Sequence, residues 1–375
     1  MITTAPLPRW GDLASFPFAA GLPDHVLGAP WRGDAGGTVW FSRGALALGI
    51  VARWWEESHR RLPRVWVPDF FCEQSLGPLR RVGAEIVFYP IAPDLRPKWD
   101  VCHVWARTAP PDLFLLVHYF GIPGDLAPAR EFRDEFGTIL VEDGAHALRP
   151  ATGIGAVGDF VLYSPHKLLA VPDGSVLVVE NAGVAGEIAA LAERLPRVAP
   201  RSGGWLLRRL AQKSLPGTLM SRIRPTGQTP FEQDPPARDQ PEAPHLSPIA
   251  RRLLGRLLDR LGAIARHRRH ADRAVRAALS ALSRWSPVAT GWGEAAPYRT
   301  VMRCAEPGVA AERFAAIRGR GGVVESWPDL PPEVRNNAEL HADAIRLRRT
   351  LLLFALDNAQ DPAAQAAAWA ARVGR

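Results

Sequence analysis

With 375 residues, 47% of them hydrophobic, the chain can bury a large core and is long enough for two domains. Its net charge of +8 and pI near 10.1 invite a nucleic-acid reading, but the excess is spread along the chain and densest in one amphipathic segment, so neither nucleic acid nor a membrane surface is the expected partner. No stretch approaches the roughly 20 apolar residues of a membrane span, and no basic segment leads into an apolar one at the start. Cys72, Cys102 and Cys304 suit reduced thiols rather than a disulfide framework or a zinc knuckle; a cytoplasmic protein is expected.

In chain order, residues 1–36 read as an N-terminal arm. From 37 to 215 short apolar runs alternate with helical patterns, the rhythm of a largely parallel sheet buried on both faces. The strands are predicted at Thr38–Ser42, Val65–Pro68, Glu85–Tyr89, Leu113–Tyr119, Thr138–Val141, Phe160–Tyr163 and Ser175–Val179, with helices at Gly44–Glu57, Glu73–Val82 and Leu126–Phe136, and 181–212 helix-like. Residues 216–248, rich in Pro, Gln, Asp and Thr, read as a connecting loop or flap. The segment Ile249–Leu282 carries leucines at helical spacing with arginines opposite, which predicts one long surface helix. It opens a smaller α+β domain, 249–375, with apolar runs at Tyr298–Cys304 and Leu351–Leu356 and helices near Val309–Arg318 and Pro362–Val373.

Lysine is almost absent: among 46 Lys and Arg, only Lys98, Lys167 and Lys213 are lysines. An arginine cannot condense with a carbonyl, whereas a lysine amine can lose its proton and form a Schiff base. Lys167 sits in Tyr163-Ser164-Pro165-His166-Lys167, after Val141-Glu142-Asp143-Gly144-Ala145-His146, and the combination reads as a pyridoxal phosphate site. Asp143 would emerge at the carboxyl end of a buried strand, where α/β sheets gather ligands, and its carboxylate suits a protonated pyridine nitrogen. His146 lies within reach of the same cofactor and can donate to its phenolic oxygen. Ser164, three residues before Lys167, suits the phosphate, as do backbone amides where Ser42-Arg43-Gly44-Ala45 opens a helix. Each residue alone also fits an ordinary structural role, so the reading rests on their combination.

Two other patterns are set aside. Gly153-Ile154-Gly155-Ala156-Val157-Gly158 matches the dinucleotide pattern letter for letter, but it precedes a strand instead of following one, so it reads as a flexible loop. His267 and His270 lie one helical turn apart among Arg266, Arg268 and Arg269, whose charges would repel a metal, so they read as solvated surface and no metal is expected.

From Leu115 to Val179 the motif residues, with Val117-His118-Tyr119-Phe120-Gly121 and Gly158-Asp159, resemble the DegT/DnrJ/EryC1/StrS aminotransferases. The likeness extends upstream through Ser42-Arg43-Gly44-Ala45-Leu46 and Val67-Pro68-Asp69-Phe70-Phe71-Cys72, and weakens downstream, where Val324-Glu325-Ser326-Trp327-Pro328 is similar to part of the family's small domain. The resemblance implies a fold-type-I enzyme with a large, mostly parallel-sheet domain and a smaller C-terminal α+β domain. It would aminate keto sugars on nucleotide carriers, with glutamate as donor, in polysaccharide or secondary-metabolite sugar biosynthesis. It implies Lys167 as the Schiff-base residue and proton shuttle, Asp143 at the pyridine nitrogen, His146 beside the ring oxygen, Ser164 and the Arg43–Gly44 amides on the phosphate, and Phe71 or Phe70 over the ring. A homodimer is implied by analogy. Three features depart from the family: the short Ser164-to-Lys167 spacing, Asp173-Gly174-Ser175 in place of Gly-Glu-Gly-Gly, and no match to Asn-Tyr-Arg-Met near Pro244-His245-Leu246-Ser247. The departures keep open a divergent protein that binds pyridoxal phosphate or a sugar nucleotide without turnover. Relatives that run dehydration chemistry lack the lysine.

Overall fold

Strand β4 (Leu113–Val117) is buried at every position, which a strand can be only when both faces of its sheet are covered. It lies near the middle of a seven-stranded sheet with β1 (Gly37–Phe41), β2 (Arg64–Pro68), β3 (Glu85–Tyr89), β5 (Ile139–Gly144), β6 (Phe160–Tyr163) and β7 (Ser175–Val179), in the order β1-β7-β6-β5-β4-β2-β3. The pairings from β3 through β2, β4 and β5 to β6 are parallel, while β7 runs antiparallel to both β6 and β1. The computed structural model describes residues 6–15, 20–33, 36–199, 202–214, 231, 243–282, 285–288, 292–322 and 324–374. Most of the loop expected at 216–248 lies outside the described residues.

A second sheet, in the order β10-β11-β9-β8, is antiparallel throughout and joins β8 (Trp285–Pro287), β9 (Thr300–Cys304), β10 (Val324–Glu325) and β11 (Leu351–Phe354). The alternation of a large parallel-rich sheet with helices and a small antiparallel one is the expected α/β class. The helix Trp99–Ala106 was not expected; it buries only Cys102 and Ala106, too few apolar positions to announce a period.

Local chemistry explains most boundaries. The helix Gly44–His59 buries Leu48, Val51, Ala52 and Trp55 along one face and stops where Arg60 turns left-handed (φ 54°), ahead of Pro63. Gly137 (φ 63°) closes the helix Leu126–Phe136 and lets the chain re-enter the sheet as β5. In the N-terminal segment, Trp31 stands edge-on to Trp40 and donates its indole N–H to Leu148 O at 3.0 Å.

The expected single helix over Ile249–Leu282 is corrected. It runs as Pro248–Gly255, a 3₁₀ turn at Leu258–Arg260, and Leu261–Ser280. The break follows Gly255, whose missing side chain admits Leu22: a Cβ there would lie 3.1 Å from that leucine's Cδ1. Arg268, expected among exposed arginines, is wholly buried; its guanidinium binds the carbonyls of Pro297 and Tyr298 and the side chain of Asn358. A period that assigns every arginine to water misplaces one that carbonyl oxygens solvate instead.

Candidate active site

Because β5 and β6 are parallel neighbours, with Gly144 paired to Tyr163, the residues that leave their carboxyl ends arrive side by side. Asp143 is the penultimate residue of β5, 7% exposed, with Oδ1 accepting from the Ala145 N–H at 2.8 Å. After β6, Pro165 prevents the strand from continuing, and the 3₁₀ turn Pro165–Lys167 swings the lysine back towards β5. Lys167, Asp143, His146, Ser164, Arg43, Gly44 and Phe71 all line one cavity of about 390 Å³. That volume suits a small-molecule or cofactor site.

Electrostatics couple the two central groups. Burial pushes the Lys167 amine below its ordinary pKa and Asp143 opposes the shift; burial pushes the Asp143 carboxyl up and Lys167 opposes that. His146 is held well below the usual imidazole range, first by burial and then by the charges of Lys167 and Arg299. It is therefore neutral at pH 7. Its Nδ1 accepts from the Phe120 N–H at 3.3 Å, which leaves the proton on Nε2. The ring lies parallel to Tyr298 (centroids 4.3 Å, 3°) and to Phe120 (6.0 Å, 5°), with Trp327 edge-on at 5.7 Å.

One end of the cavity is built where β1, β6 and β7 lead into Arg43, Gly44 and Ser164. The N-cap residue Arg43 makes no side-chain cap on the helix Gly44–His59, so the helix start can receive an anion ahead of Leu46, whose N–H donates to Arg43 O. A Cβ on Gly44 would lie 3.0 Å from Leu162 Cδ2 and 3.1 Å from Ser164 Oγ, so glycine keeps this corner open. Ser175 Oγ donates to Tyr163 O at 2.7 Å and therefore accepts the Ser164 hydroxyl proton at 2.9 Å. A phosphate would draw that proton from Ser175. An open helix start, a hydroxyl, a coupled lysine and carboxylate, and a neutral histidine with one free N–H fit pyridoxal phosphate.

Of the two phenylalanines left open by the sequence, Phe71 borders the cavity, while Phe70 is fully buried behind it and stacks on Trp327 at 4.6 Å. The departures from the family pattern gather around Ser42, at the same end of the cavity as Gly44. Gly174 (φ 129°) receives the Nδ1–H of His166 on its carbonyl at 2.8 Å, and its N–H donates to Ser42 O. Pro244 O accepts from the Ser42 N–H, and Asp173 Oδ1 accepts from the Ser247 N–H, so the divergent segment is tied to this same corner.

Sequence reasoning missed a large part of the cavity wall. Tyr298, Glu325, Ser326, Trp327, Pro328 and Leu353 come from the small sheet and its flanks, and Cys72, Gln74, Ser75 and His166 also line the cavity. It also missed why the glycine-rich loop exists. Glu142, wholly buried, accepts from the N–H groups of Gly155 (2.6 Å), Val157 (2.8 Å) and Gly158 (2.6 Å), and from His118 Nε2 at 2.7 Å. His118 Nδ1 in turn accepts from the Gly124 N–H, which assigns the His118 proton to Nε2. The loop read as flexible is thus an anion nest whose anion is the protein's own carboxylate, one residue before Asp143. Against its burial, the pairing with His118 and these amides holds Glu142 below the usual carboxylate range.

Residues 65–194 match the model of the DegT/DnrJ/EryC1/StrS aminotransferase family. No curated protein matches the chain by sequence. Among solved structures, the aminotransferase TlmJ from Streptoalloteichus hindustanus superposes with a TM-score of 0.72 at 20% identity, over 100% of this chain and 98% of its own. PseC of Helicobacter pylori, an aminotransferase of pseudoaminic acid biosynthesis, gives 0.73 at 10% identity over 99% and 98%. DesI, solved in the presence of its TDP-sugar product, gives 0.69 at 16% over 100% and 93%. The fold is therefore shared from end to end, and the family match falls on the strands that carry Asp143, His146, Ser164 and Lys167. Over residues 65–194 the chain is thus similar to the DegT/DnrJ/EryC1/StrS aminotransferases, and it shares the fold of solved aminotransferases along its length.

Proposed function

We propose that the protein moves an amino group from glutamate to a keto sugar held on a nucleotide carrier, in the biosynthesis of a surface polysaccharide or a secondary-metabolite sugar. The observation that carries this reading is the convergence of Lys167, Asp143, His146 and the open helix start at Gly44 on one cavity. The TDP-sugar product of DesI and the role of PseC in pseudoaminic acid biosynthesis support the substrate class.

When bound, pyridoxal phosphate supplies an aldehyde for amines and an electron sink for the carbon that loses its proton. Lys167 is the amine that holds the aldehyde. Its lowered pKa would also suit Lys167 to carry a proton to and from the donor's Cα. Asp143 keeps the proton on the pyridine nitrogen. His146 donates Nε2–H to the phenolic oxygen. Ser164 and the amides of Arg43 and Gly44 would hold the phosphate, and Phe71 would border the ring. We assign 37–215 to a large cofactor domain and 249–375 to a small domain, with a homodimer working in the cytoplasm.

The test is the absorbance of the purified protein. A yellow colour lost in Lys167→Ala and bleached by glutamate is expected. A colourless wild-type protein after incubation with pyridoxal phosphate would overturn the reading.

A further inference from the structure

On the function proposed above, Lys167 must return to one geometry in every turnover, and the chain around it is held from two sides. Upstream, the Ser164 hydroxyl bonds Ser175 Oγ at 2.9 Å and His166 donates Nδ1–H to Gly174 O at 2.8 Å, so β7 and the residue before it fix the entry to the turn. Within the turn, the N–H groups of Lys167, Leu168 and Leu169 return to the carbonyls of Ser164 and Pro165. Downstream, the Leu168 carbonyl accepts from Asn358 Nδ2 at 2.7 Å, across 190 residues of sequence.

Asn358 lies between β11 and the helix Pro362–Val373, in a turn that is itself braced. Gln365, 1% exposed, accepts the Asp357 N–H at 2.9 Å and donates to the carbonyls of Asp357 and Gln360. Asp357 Oδ1 accepts from the N–H groups of Ala359 and Gln360. The Asn358 amide then has one orientation. Arg268 Nη1 meets its oxygen at 2.6 Å, and a guanidinium can only donate; the NH2 group therefore faces Leu168 O, which can only accept.

The wholly buried Arg268 serves the opposite side of the same site. Its Nη2 donates to Tyr298 O at 2.5 Å and its Nε to Pro297 O at 2.8 Å, while the Tyr298 ring lies on His146 with centroids 4.3 Å apart. One guanidinium thus holds two backbones, that of Tyr298 directly and that of Leu168 through Asn358. Lys167, His146 and Tyr298 all line the cavity.

We propose that Asn358, oriented by Arg268, is a positioning residue for Lys167: its donation to Leu168 O fixes the chain just past the lysine, so that the amine keeps one reach into the cavity. A displacement of about 1 Å at a reacting group lowers rates by up to about 100-fold, so a single tether of this kind has a measurable effect.

Two variants separate this role from a merely structural one. Asn358→Ala removes both bonds. Asn358→Asp keeps an acceptor for Arg268 but turns a carboxylate oxygen, which cannot donate, towards Leu168 O. In rapid mixing of the pyridoxal phosphate-loaded protein with glutamate, both should bleach the yellow colour about tenfold more slowly, with the half-saturating glutamate concentration changed by less than about twofold. A structural role predicts instead that Asn358→Asp, with the Arg268 bond retained, bleaches like the wild type. Bleaching at the wild-type rate in either variant overturns the tether, and should one variant fail to fold, the other decides. A colourless wild type would remove the aminotransferase reading and leave the tether to be decided in the apoprotein by amide hydrogen exchange. There, exchange over residues 164–171 should be about tenfold faster in both variants than in the wild type, and equal exchange overturns the tether.

Discussion

The two walls of the cavity are built in opposite ways. The large-sheet wall takes Asp143, His146, Ser164 and Lys167 from a window of twenty-five residues at the ends of two adjacent strands. The small-sheet wall takes Tyr298, Glu325, Trp327 and Leu353 from segments that meet only when β9, β10 and β11 pair. Cofactor chemistry is the same in every turnover, so its residues can be held rigidly by local geometry. On the proposed function, recognition must alternate between two molecules, and the corresponding wall is drawn from segments that only the small sheet brings together.

The rigidity of the first wall can be broken at Glu142. Replacing it with Gln removes the carboxylate that gathers three amides and His118 beneath Asp143, and leaves a buried network short of an acceptor. A loss of about 3–5 kcal/mol is expected in urea unfolding of the apoprotein. A loss below about 1 kcal/mol would mean that the nest is not what holds the end of β5.

A smaller effect is expected at the phosphate corner. Gly44→Ala places a methyl 3.0–3.1 Å from Leu162 and Ser164, a crowding of the order of 1–3 kcal/mol. The variant should fold and keep the Lys167-dependent colour, but retain pyridoxal phosphate some 10- to 100-fold less tightly in fluorescence titration. Equal retention would show that the helix start is not the phosphate seat.

The smallest effect is one of pH. Burial, then the charge of Arg43, lowers His166 from 6.5 to about 3, although Gly174 O accepts its Nδ1–H. Between those values the unfolded chain takes up a proton that the folded protein refuses. Stability from this site is therefore full above pH 6.5 and declines as pH falls through the window. His166→Asn should reduce the stability lost between pH 7 and pH 5 by about 1–2 kcal/mol. Identical pH profiles for the two proteins would assign the acid sensitivity elsewhere.

Much of the first wall was legible because its signals are local. Alternating strands and helices announce their periods, lysine scarcity singles out Lys167, and Pro165 marks where β6 must end. The limits of local reading appear at three places. Glu142 was read only as a member of a motif, since nothing near it in sequence reveals that a loop a dozen residues later folds back to bind it. Arg268 was assigned to water by its type, although four neutral acceptors from distant segments receive it. Gly255, where the helix breaks, packs against Leu22, more than two hundred residues away.

The amino-acid sequence by itself determined the class of fold, the strand that delivers Asp143, the turn that returns Lys167 and the aldehyde chemistry those residues imply, because each depends on spacings of a few residues. Only the tertiary structure decided that Phe71 rather than Phe70 borders the cavity, that the glycine-rich loop solvates Glu142, and that Tyr298, Glu325 and Trp327 close the opposite wall. Those outcomes depend on which distant surfaces share a volume, and that is settled by burial and by the need to pair every polar group removed from water.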